Sequence, residues 1–248
     1  MNKEQLLTDC KSLLEAYKTG QLGQTTMPED NSPAFLDDQT EMRLAYFTLP
    51  MALNYQRDSY ALWRSALQTW NDPDTKDVFA VEIVSSMSDD VLRRKLLKHK
   101  VALQPNKHID TWKRIAHTVH TEWGSFSKLM QATNNDFLLL RDIVQARHKK
   151  GFPYVSGPKI FNYWSFILGE YGKVDLRNKE HIEIAPDTHI TQCSVQLGVL
   201  TENEAKTLSK EAISERWRNL LDGSGISPIE MHPPLWFWSR NGFLYKLR

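Results

Sequence analysis

The hydrophobic positions of this chain recur at helical spacing over much of its length. Apolar residues return every three or four positions in four stretches: Leu6, Leu7, Leu13 and Leu14; Leu62, Trp63, Ala66, Leu67 and Trp70; Trp112, Ile115, Ala116 and Val119; and Phe137, Leu138, Leu140, Ile143 and Val144. This period is typical of amphipathic helices. No stretch alternates apolar and polar residues long enough to predict a sheet, so the pattern predicts an all-α fold.

Three segments rich in Gly, Pro and polar residues interrupt the helical pattern. Residues 20–39 are predicted to form a linker, and residues 172–186 a polar loop. Residues 222–234 form a third break before a short aromatic helix. The chain shows no internal repeat and no low-complexity segment.

Composition and cysteine content narrow the class of protein. Apolar residues make up 41% and charged residues 25% of the 248 residues, as expected of a soluble globular protein. No apolar stretch approaches the roughly 20 residues that cross a bilayer, and residues 1–17 lack the apolar core of a signal peptide. Cys10 and Cys193 stand far apart, which fits a reducing compartment. We expect a cytoplasmic protein, nucleoid-associated in a prokaryote, with no membrane partner.

The net charge of +1 conceals an uneven distribution. Residues 1–90 hold 7 Lys and Arg against 15 Asp and Glu, whereas residues 91–248 hold 24 against 15. A polyanion would meet the basic part. Alternatively, the two parts only neutralise each other.

The segment Phe152-Pro153-Tyr154-Val155-Ser156-Gly157-Pro158-Lys159 is predicted to be a hairpin between two helices. The first helix spans residues 136–149, and Gly151 follows it as a stop. The second begins near Ser156 or Gly157 with Pro158 in its first turn, which places Lys159 just inside it. Most Gly-Pro-Lys tripeptides are simply helix starts with a solvated lysine.

A second segment, Pro186-Asp187-Thr188-His189, begins another helix 28 positions after Lys159. Aspartate is a common N-cap, so Asp187 has a purely structural alternative. A lysine and an aspartate at two helix starts can also meet in a cleft. That pair suits amine nucleophilic catalysis, in which a carboxylate stabilises positive charge at a sugar carbon.

In their order and setting these two segments resemble the helix-hairpin-helix DNA glycosylases of the endonuclease III superfamily, over roughly residues 40–242. The family hairpin Leu-Pro-Gly-Val-Gly-x-Lys keeps here only its second glycine, as Gly157, and gains one residue. Two cysteines cannot hold the iron–sulfur cluster of many relatives. The chain therefore looks most like the cluster-free archaeal 8-oxoguanine glycosylases, the AGOG family.

The resemblance implies two helical domains flanking a DNA-binding cleft. The central domain would span residues 40–186 and carry the hairpin. The second domain would combine residues 1–39 with residues 187–248.

The resemblance also implies roles for individual residues. Lys159 and Asp187 would be catalytic, and backbone groups of the hairpin would bind a DNA phosphate. The base-binding candidates are Gln56, Trp63, His232 and Trp236, and the phosphate-binding candidates are Ser156, Gly157, Lys149 and Lys150. A solvated Gln56, a core-packed Trp63 and a solvated helix end at Lys149 and Lys150 are the structural alternatives. No metal or other cofactor is expected.

The implied function is a monomeric, bifunctional DNA glycosylase and abasic-site lyase. Its partner would be double-stranded DNA with a damaged base, 8-oxoguanine being favoured. Three alternatives stay open: a glycosylase for oxidised pyrimidines, a non-catalytic helix-hairpin-helix DNA-binding protein, and a helical protein-interaction domain with a fortuitous Lys/Asp pair.

Overall fold

The computed structural model describes residues 2–247, and over those residues the fold is all-α, as the hydrophobic pattern predicts. Its α-helices are α1 (Lys3–Lys18), α2 (Thr40–Leu53), α3 (Ser59–Asn71), α4 (Val81–Ser86), α5 (Asp89–Lys98), α6 (Lys107–Trp123), α7 (Phe126–Ala132), α8 (Phe137–Asp142), α9 (Pro158–Glu170), α10 (Thr188–Gln196), α11 (Glu202–Thr207), α12 (Lys210–Leu221) and α13 (His232–Arg240). Within residues 2–247 no helix is both long and apolar enough to cross a membrane.

The chain divides into two compact units. The central unit is Pro28–Arg177, and the terminal unit combines Met1–Met27 with Asn178–Arg248. The sequence-based boundaries lie at residues 40 and 186. Hydrogen bonds hold both ends of the central unit to the rest of it. The Tyr171 hydroxyl donates to Asp30, and the Arg177 N–H donates to the Asn135 carbonyl at 2.8 Å.

Helix α2 forms the centre of the central unit. Residues 43–53 are all buried, and α3, α6, α7 and α9 pack around them. A helix that is apolar on every side is stable only when it is covered on every side. The Thr48 hydroxyl inside α2 accepts a hydrogen bond from Trp164 Nε1 at 3.0 Å, which satisfies a buried indole and joins α9 to α2.

Local sequence sets where several helices begin. Asp58, Ser125 and Ser209 precede α3, α7 and α12, and the side chain of each accepts a backbone N–H of the first turn. Such caps satisfy donors that have no partner inside the helix. Gly124 ends α6 in the left-handed conformation with φ of 84°.

The predicted helix over residues 136–149 is wrong in its second half. Helix α8 ends at Asp142, a π-helix follows over Ile143–Arg147, and Lys149–Gly151 is a 3₁₀ turn. The wider turn buries Val144, while Gln145 Nε2 donates to the Ser156 carbonyl at 3.1 Å. Contacts distant in sequence therefore override the regular helical repeat here.

The terminal unit joins the first helix to the last ones. Helix α1 packs on α12 and α13, and the rings of Tyr17 and Phe237 stack at 6.0 Å between centroids. Asn241 Nδ2 donates to the Leu22 carbonyl just after α1. Helix α13 begins at His232, earlier than predicted, because prolines in a first turn lack only N–H groups that the helix does not use.

Gly151 marks the closest approach of the hairpin segment to α6. A Cβ atom at this position would lie 2.6 Å from both Oγ1 and Cγ2 of Thr118. We expect Gly151→Ala to destabilise the protein by about 1–3 kcal/mol through overpacking. Urea unfolding measures the change. The matched control is Gly169→Ala in α9, where the nearest atom would lie 3.9 Å away, so its free energy of unfolding should stay equal or rise. Equal effects of the two substitutions would contradict the close approach.

Candidate active site

Lys159 lies in the first turn of α9, with its side chain exposed. Gly157 is the N-cap residue and Pro158 the first helical residue, as the sequence predicts. Among the described residues no side chain caps this first turn. The amine therefore lies beside the positive end of a 13-residue helix, at a position open to a polyanion.

The hairpin before Lys159 uses several of its backbone N–H groups internally. Ser156 N donates to the Phe152 carbonyl at 2.9 Å, and Gly157 N donates to the Tyr154 carbonyl at 3.0 Å. Ser156 is also buried. The two amides that the resemblance assigned to a DNA phosphate therefore form hydrogen bonds within the hairpin. They do so because Tyr154 closes a tight turn in the left-handed conformation.

Lys149 and Lys150 stand on the surface, in the 3₁₀ turn that leads into the hairpin. Arg147 precedes them and pairs with Asp142. The two lysines are exposed cations that precede the uncapped start of α9 in the sequence. A phosphate contact by either lysine stays a prediction.

A buried carboxyl group, which the sequence analysis missed, lies close to α9. Glu29 is only 1% exposed, and the Tyr163 hydroxyl donates to its Oε1 at 3.2 Å. Its Oε2 and the indole Nε1 of Trp63 are both buried without a hydrogen-bond partner. Trp63 is close enough to favour the charged carboxylate, although no hydrogen bond of normal geometry joins the two side chains.

Burial decides the protonation of Glu29. It raises the pKa of the carboxyl to about 7, and the nearby Asp30 adds to the rise. Hydrogen bonds from its backbone amide and Tyr163, together with Trp63, oppose the shift. The carboxyl therefore changes charge close to neutral pH, as functional carboxyl groups often do.

Tyr163, which donates to this buried carboxyl, lies on the same helix as Lys159. The two residues are four positions apart on α9, and residues at that spacing are neighbours on one face of a helix. The exposed amine of Lys159 thus lies one helical turn before Tyr163, whose hydroxyl reaches into the interior. Within the central unit, Lys159, Tyr163, Glu29 and Trp63 form what we call the candidate site.

The predicted base-binding residues of the central unit differ in exposure. Gln56 is exposed in the loop between α2 and α3, in the left-handed conformation with φ of 50°. Trp63 is 0% exposed and packs against Tyr46 and Phe47, with ring centroids 6.0 and 5.8 Å away. The structure therefore places Trp63 in the core, and the open stacking face predicted for it is not present.

In the terminal unit Asp187 caps α10. Its Oδ1 accepts from the Ile190 N–H at 2.9 Å, and the residue is half-buried. His189, two residues later, has Nδ1 3.0 Å from the Ser239 hydroxyl. Asp187 is thus an N-cap whatever else it does. Lys159 belongs to the central unit, and a shared cleft with Asp187 stays a prediction.

The aromatic helix α13 presents one of its two predicted base contacts. Trp236 is partly exposed, His189 meets it edge-on at 5.5 Å, and the guanidinium of Arg240 lies 4.9 Å from its ring centre. His232 is only 6% exposed, because the first turn of α13 is packed into the unit. Of the pair, only Trp236 is partly exposed, and Arg240 and His189 lie against its ring.

A charged groove of about 390 Å³ lies between α5 and α6. Its Lys and Arg side chains are already paired: Arg93 with Asp90 at 2.6 Å, Lys113 with Asp89, and Arg114 with Asp110 at 2.8 Å. Because these charges neutralise each other, the groove does not favour a polyanion. Over residues 2–247 no cluster of His, Cys, Asp and Glu has a metal-binding arrangement.

The buried carboxyl makes stability depend on pH. The folded-state pKa of Glu29 lies above the ordinary 4.5, so its contribution is fully present below pH 4.5 and is lost as pH rises through about 7. Between pH 5 and 8 we expect the free energy of unfolding to fall by roughly 2–3 kcal/mol more in the wild type than in Glu29→Gln. Urea titrations at both pH values measure this. Glu122→Gln, at an exposed position of α6, is the control and should keep the wild-type difference. A Glu29→Gln profile parallel to the wild type would contradict a neutral buried carboxyl.

Comparison with known proteins adds no family to this picture. No protein-family model matches the chain, and a search of curated proteins finds no match. The functional conclusion therefore depends on the chemistry of the residues and on the resemblance of their motifs.

Proposed function

We propose that this protein is a bifunctional DNA glycosylase and abasic-site lyase, which removes an oxidised base during base excision repair. Its favoured substrate is 8-oxoguanine in double-stranded DNA. The observation that carries the proposal is the exposed Lys159 in the uncapped first turn of α9, one helical turn before the tyrosine that reaches the buried Glu29.

Lys159 is the proposed nucleophile. Its neutral amine attacks C1′ of the damaged nucleotide, the bond between C1′ and the base breaks, and the base leaves with the electron pair and takes up a proton. The attached amine loses one proton, the C1′–O4′ bond breaks, O4′ takes up a proton, and a protonated Schiff base forms at C1′ of the opened sugar. The Schiff base acidifies the C2′ proton, whose removal expels the 3′ phosphate by β-elimination. An exposed position in a first turn suits this role because the amine must reach a sugar held outside the protein fold.

Asp187 is the proposed stabiliser of the cationic sugar. Charge develops on the ring as the base departs, and a fixed carboxylate lowers the energy of that state. The N-cap bond to Ile190 engages Oδ1 and holds the side chain in one orientation. A preorganised group of this kind needs no rearrangement at the moment of reaction.

The groups around Glu29 suit an oxidised purine better than a normal one. Glu29 Oε2 and Trp63 Nε1 are a buried acceptor and a buried donor, and within residues 2–247 neither has a hydrogen bond of normal geometry. Guanine offers only acceptors, N7 and O6, on its major-groove edge. Oxidation at C8 places a proton on N7 beside a new carbonyl oxygen, so that edge then offers a donor next to an acceptor. When Glu29 is ionised, the oxidised edge can satisfy both protein groups, whereas guanine offers the carboxylate no donor.

Base binding requires that the nucleotide leave the helical stack. Unstacking costs a few kcal/mol, which aromatic faces and base-edge contacts offset. The partly exposed Trp236 is the proposed stacking partner, and the exposed Gln56 is the proposed reader of a base edge. Because Glu29 and Trp63 are buried, we propose that the segment around Glu29 opens to admit the base.

The defining test is incubation with matched duplexes that carry 8-oxoguanine, thymine glycol, uracil or normal guanine, scored for base release and strand nicking. Preferred release of 8-oxoguanine supports the proposal. Release of thymine glycol alone would favour a glycosylase for oxidised pyrimidines. Binding without release, with a steep salt dependence, would favour the non-catalytic DNA-binding alternative. Absence of DNA binding would favour the protein-interaction domain.

Lys159→Gln should abolish nicking and borohydride cross-linking while leaving DNA binding largely intact, because glutamine removes the nucleophilic amine and stays polar. Gel analysis of borohydride-treated mixtures with abasic-site DNA measures the cross-link. The control is Lys173→Gln, the same change at an exposed position after α9, which should cross-link like the wild type. Cross-linking by Lys159→Gln would assign the nucleophile elsewhere.

Asp187→Asn separates catalysis from capping. Asparagine caps a helix as well as aspartate does but carries no charge, so turnover should fall by about 10²–10³ while the thermal unfolding temperature stays close to the wild type. Single-turnover base release and thermal unfolding are measured together. Asp136→Asn is the matched change at the N-cap of α8 and should leave turnover in place. Early unfolding with full specific activity would reduce Asp187 to a cap.

A further inference from the structure

One hydrogen bond joins the hairpin that leads into Lys159 to the loop that carries Gln56. The Tyr154 hydroxyl, in the hairpin, donates to the carbonyl of Asn54 at the end of α2, at 2.7 Å. The ring of Tyr154 also meets Tyr55 almost at right angles, with centroids 5.9 Å apart. Two segments about 100 positions apart in sequence are thereby held together at the surface of the central unit.

Both segments contain a residue other than glycine in the left-handed conformation. The φ of Tyr154 is 66° and that of Gln56 is 50°. A bulky residue rarely adopts this conformation, because its Cβ crowds the backbone. Such conformations persist where surrounding contacts determine them, and they concentrate at binding and catalytic sites.

The Gln56 loop is fixed on its other side as well. Arg57 donates through Nη2 to the Lys100 carbonyl at 2.9 Å and through Nη1 to the Val101 carbonyl. The ammonium of Lys107 lies 4.5 Å from the ring centre of Tyr55, which is 40% exposed. Gln56 therefore projects from a loop that is held at both ends.

The donor role of Tyr154 is stable across the neutral range. Burial, and then the neighbouring Tyr55, raise the pKa of the Tyr154 hydroxyl above its usual value. The hydroxyl keeps its proton and can donate to Asn54 at any pH at which the protein is assayed. The hairpin side is fixed in addition by Gln145, which donates to the Ser156 carbonyl at 3.1 Å.

We propose that Tyr154 is a positioning residue, which holds the Gln56 loop in fixed register with the hairpin that presents Lys159. The inference rests on the proposed function, since it concerns the removal of a base by that lysine. Excision needs the base reader and the nucleophile at one geometry, and a misplacement of about 1 Å can cost about a hundredfold in rate. A preformed abasic site has no base to read, so it needs the lysine alone.

The test compares two reactions of Tyr154→Phe, which removes only the hydroxyl and keeps the ring against Tyr55. Single-turnover release of 8-oxoguanine should fall by about tenfold or more, while borohydride trapping on preformed abasic-site DNA should stay within about twofold of the wild type. The control Tyr245→Phe removes the hydroxyl of a partly exposed tyrosine in the terminal unit, and both reactions should remain at wild-type rates. Thermal unfolding of each variant checks that it folds.

A double-mutant cycle supplies the second readout. Gln56→Ala should show the same pattern as Tyr154→Phe, and the combined variant should be no slower than the slower single variant, because both act through one loop. Additive losses would overturn the proposal, as would equal loss of both reactions in Tyr154→Phe or loss of neither. These results leave the proposed function standing, because the wild type still excises and cross-links. A wild type that does neither would overturn the function and this inference together.

Discussion

The central unit depends on one constraint: α2 is apolar on every side and must be covered on every side. Helices α3, α6, α7 and α9 supply that cover, and the bond from Trp164 to Thr48 fixes α9 against α2. Both functional segments of the unit are attached to this pair. The Gln56 loop follows the end of α2, and Lys159 lies at the beginning of α9. A change in how α9 packs on α2 would therefore displace Lys159, the proposed nucleophile, relative to the Gln56 loop.

The candidate site combines an accessible amine with a costly buried acid. The carboxyl of Glu29 has one hydrogen bond from a side chain and an oxygen without a partner, next to an indole N–H that also lacks one. Unsatisfied buried groups of this kind lower stability, and a native protein usually keeps them where they do something else. The same arrangement that weakens the fold at neutral pH places a buried donor beside a buried acceptor.

Sequence reasoning was strongest where a local rule decides the outcome. Helical periodicity predicted α3 and α6, the Gly-Pro pair predicted the start of α9, and the aspartate before Thr188 predicted a cap. Sequence reasoning was weakest where contacts between residues distant in sequence decide the structure. Glu29 follows Pro28 in a segment that looks like a polar linker, and only the fold brings it to Tyr163. The π-helix over Ile143–Arg147 and the internal hydrogen bonds of the hairpin have no local signal either. Trp63 at helical spacing fits both the core and a stacking surface, and packing decides for the core.

The composition of the terminal unit has a consequence for synthesis on the ribosome. Helix α1 packs on α12 and α13, which lie at the other end of the chain, while the central unit is made of one continuous segment. Domains tend to fold as units in the order in which they emerge. The central unit has all its residues before the terminal unit has α12 and α13, so α1 must wait, with Leu6 and Leu13 uncovered, until those two helices are made. The terminal unit, which carries Asp187, therefore depends on contacts between residues that are distant in sequence. Aggregation during synthesis would start from its uncovered helix α1.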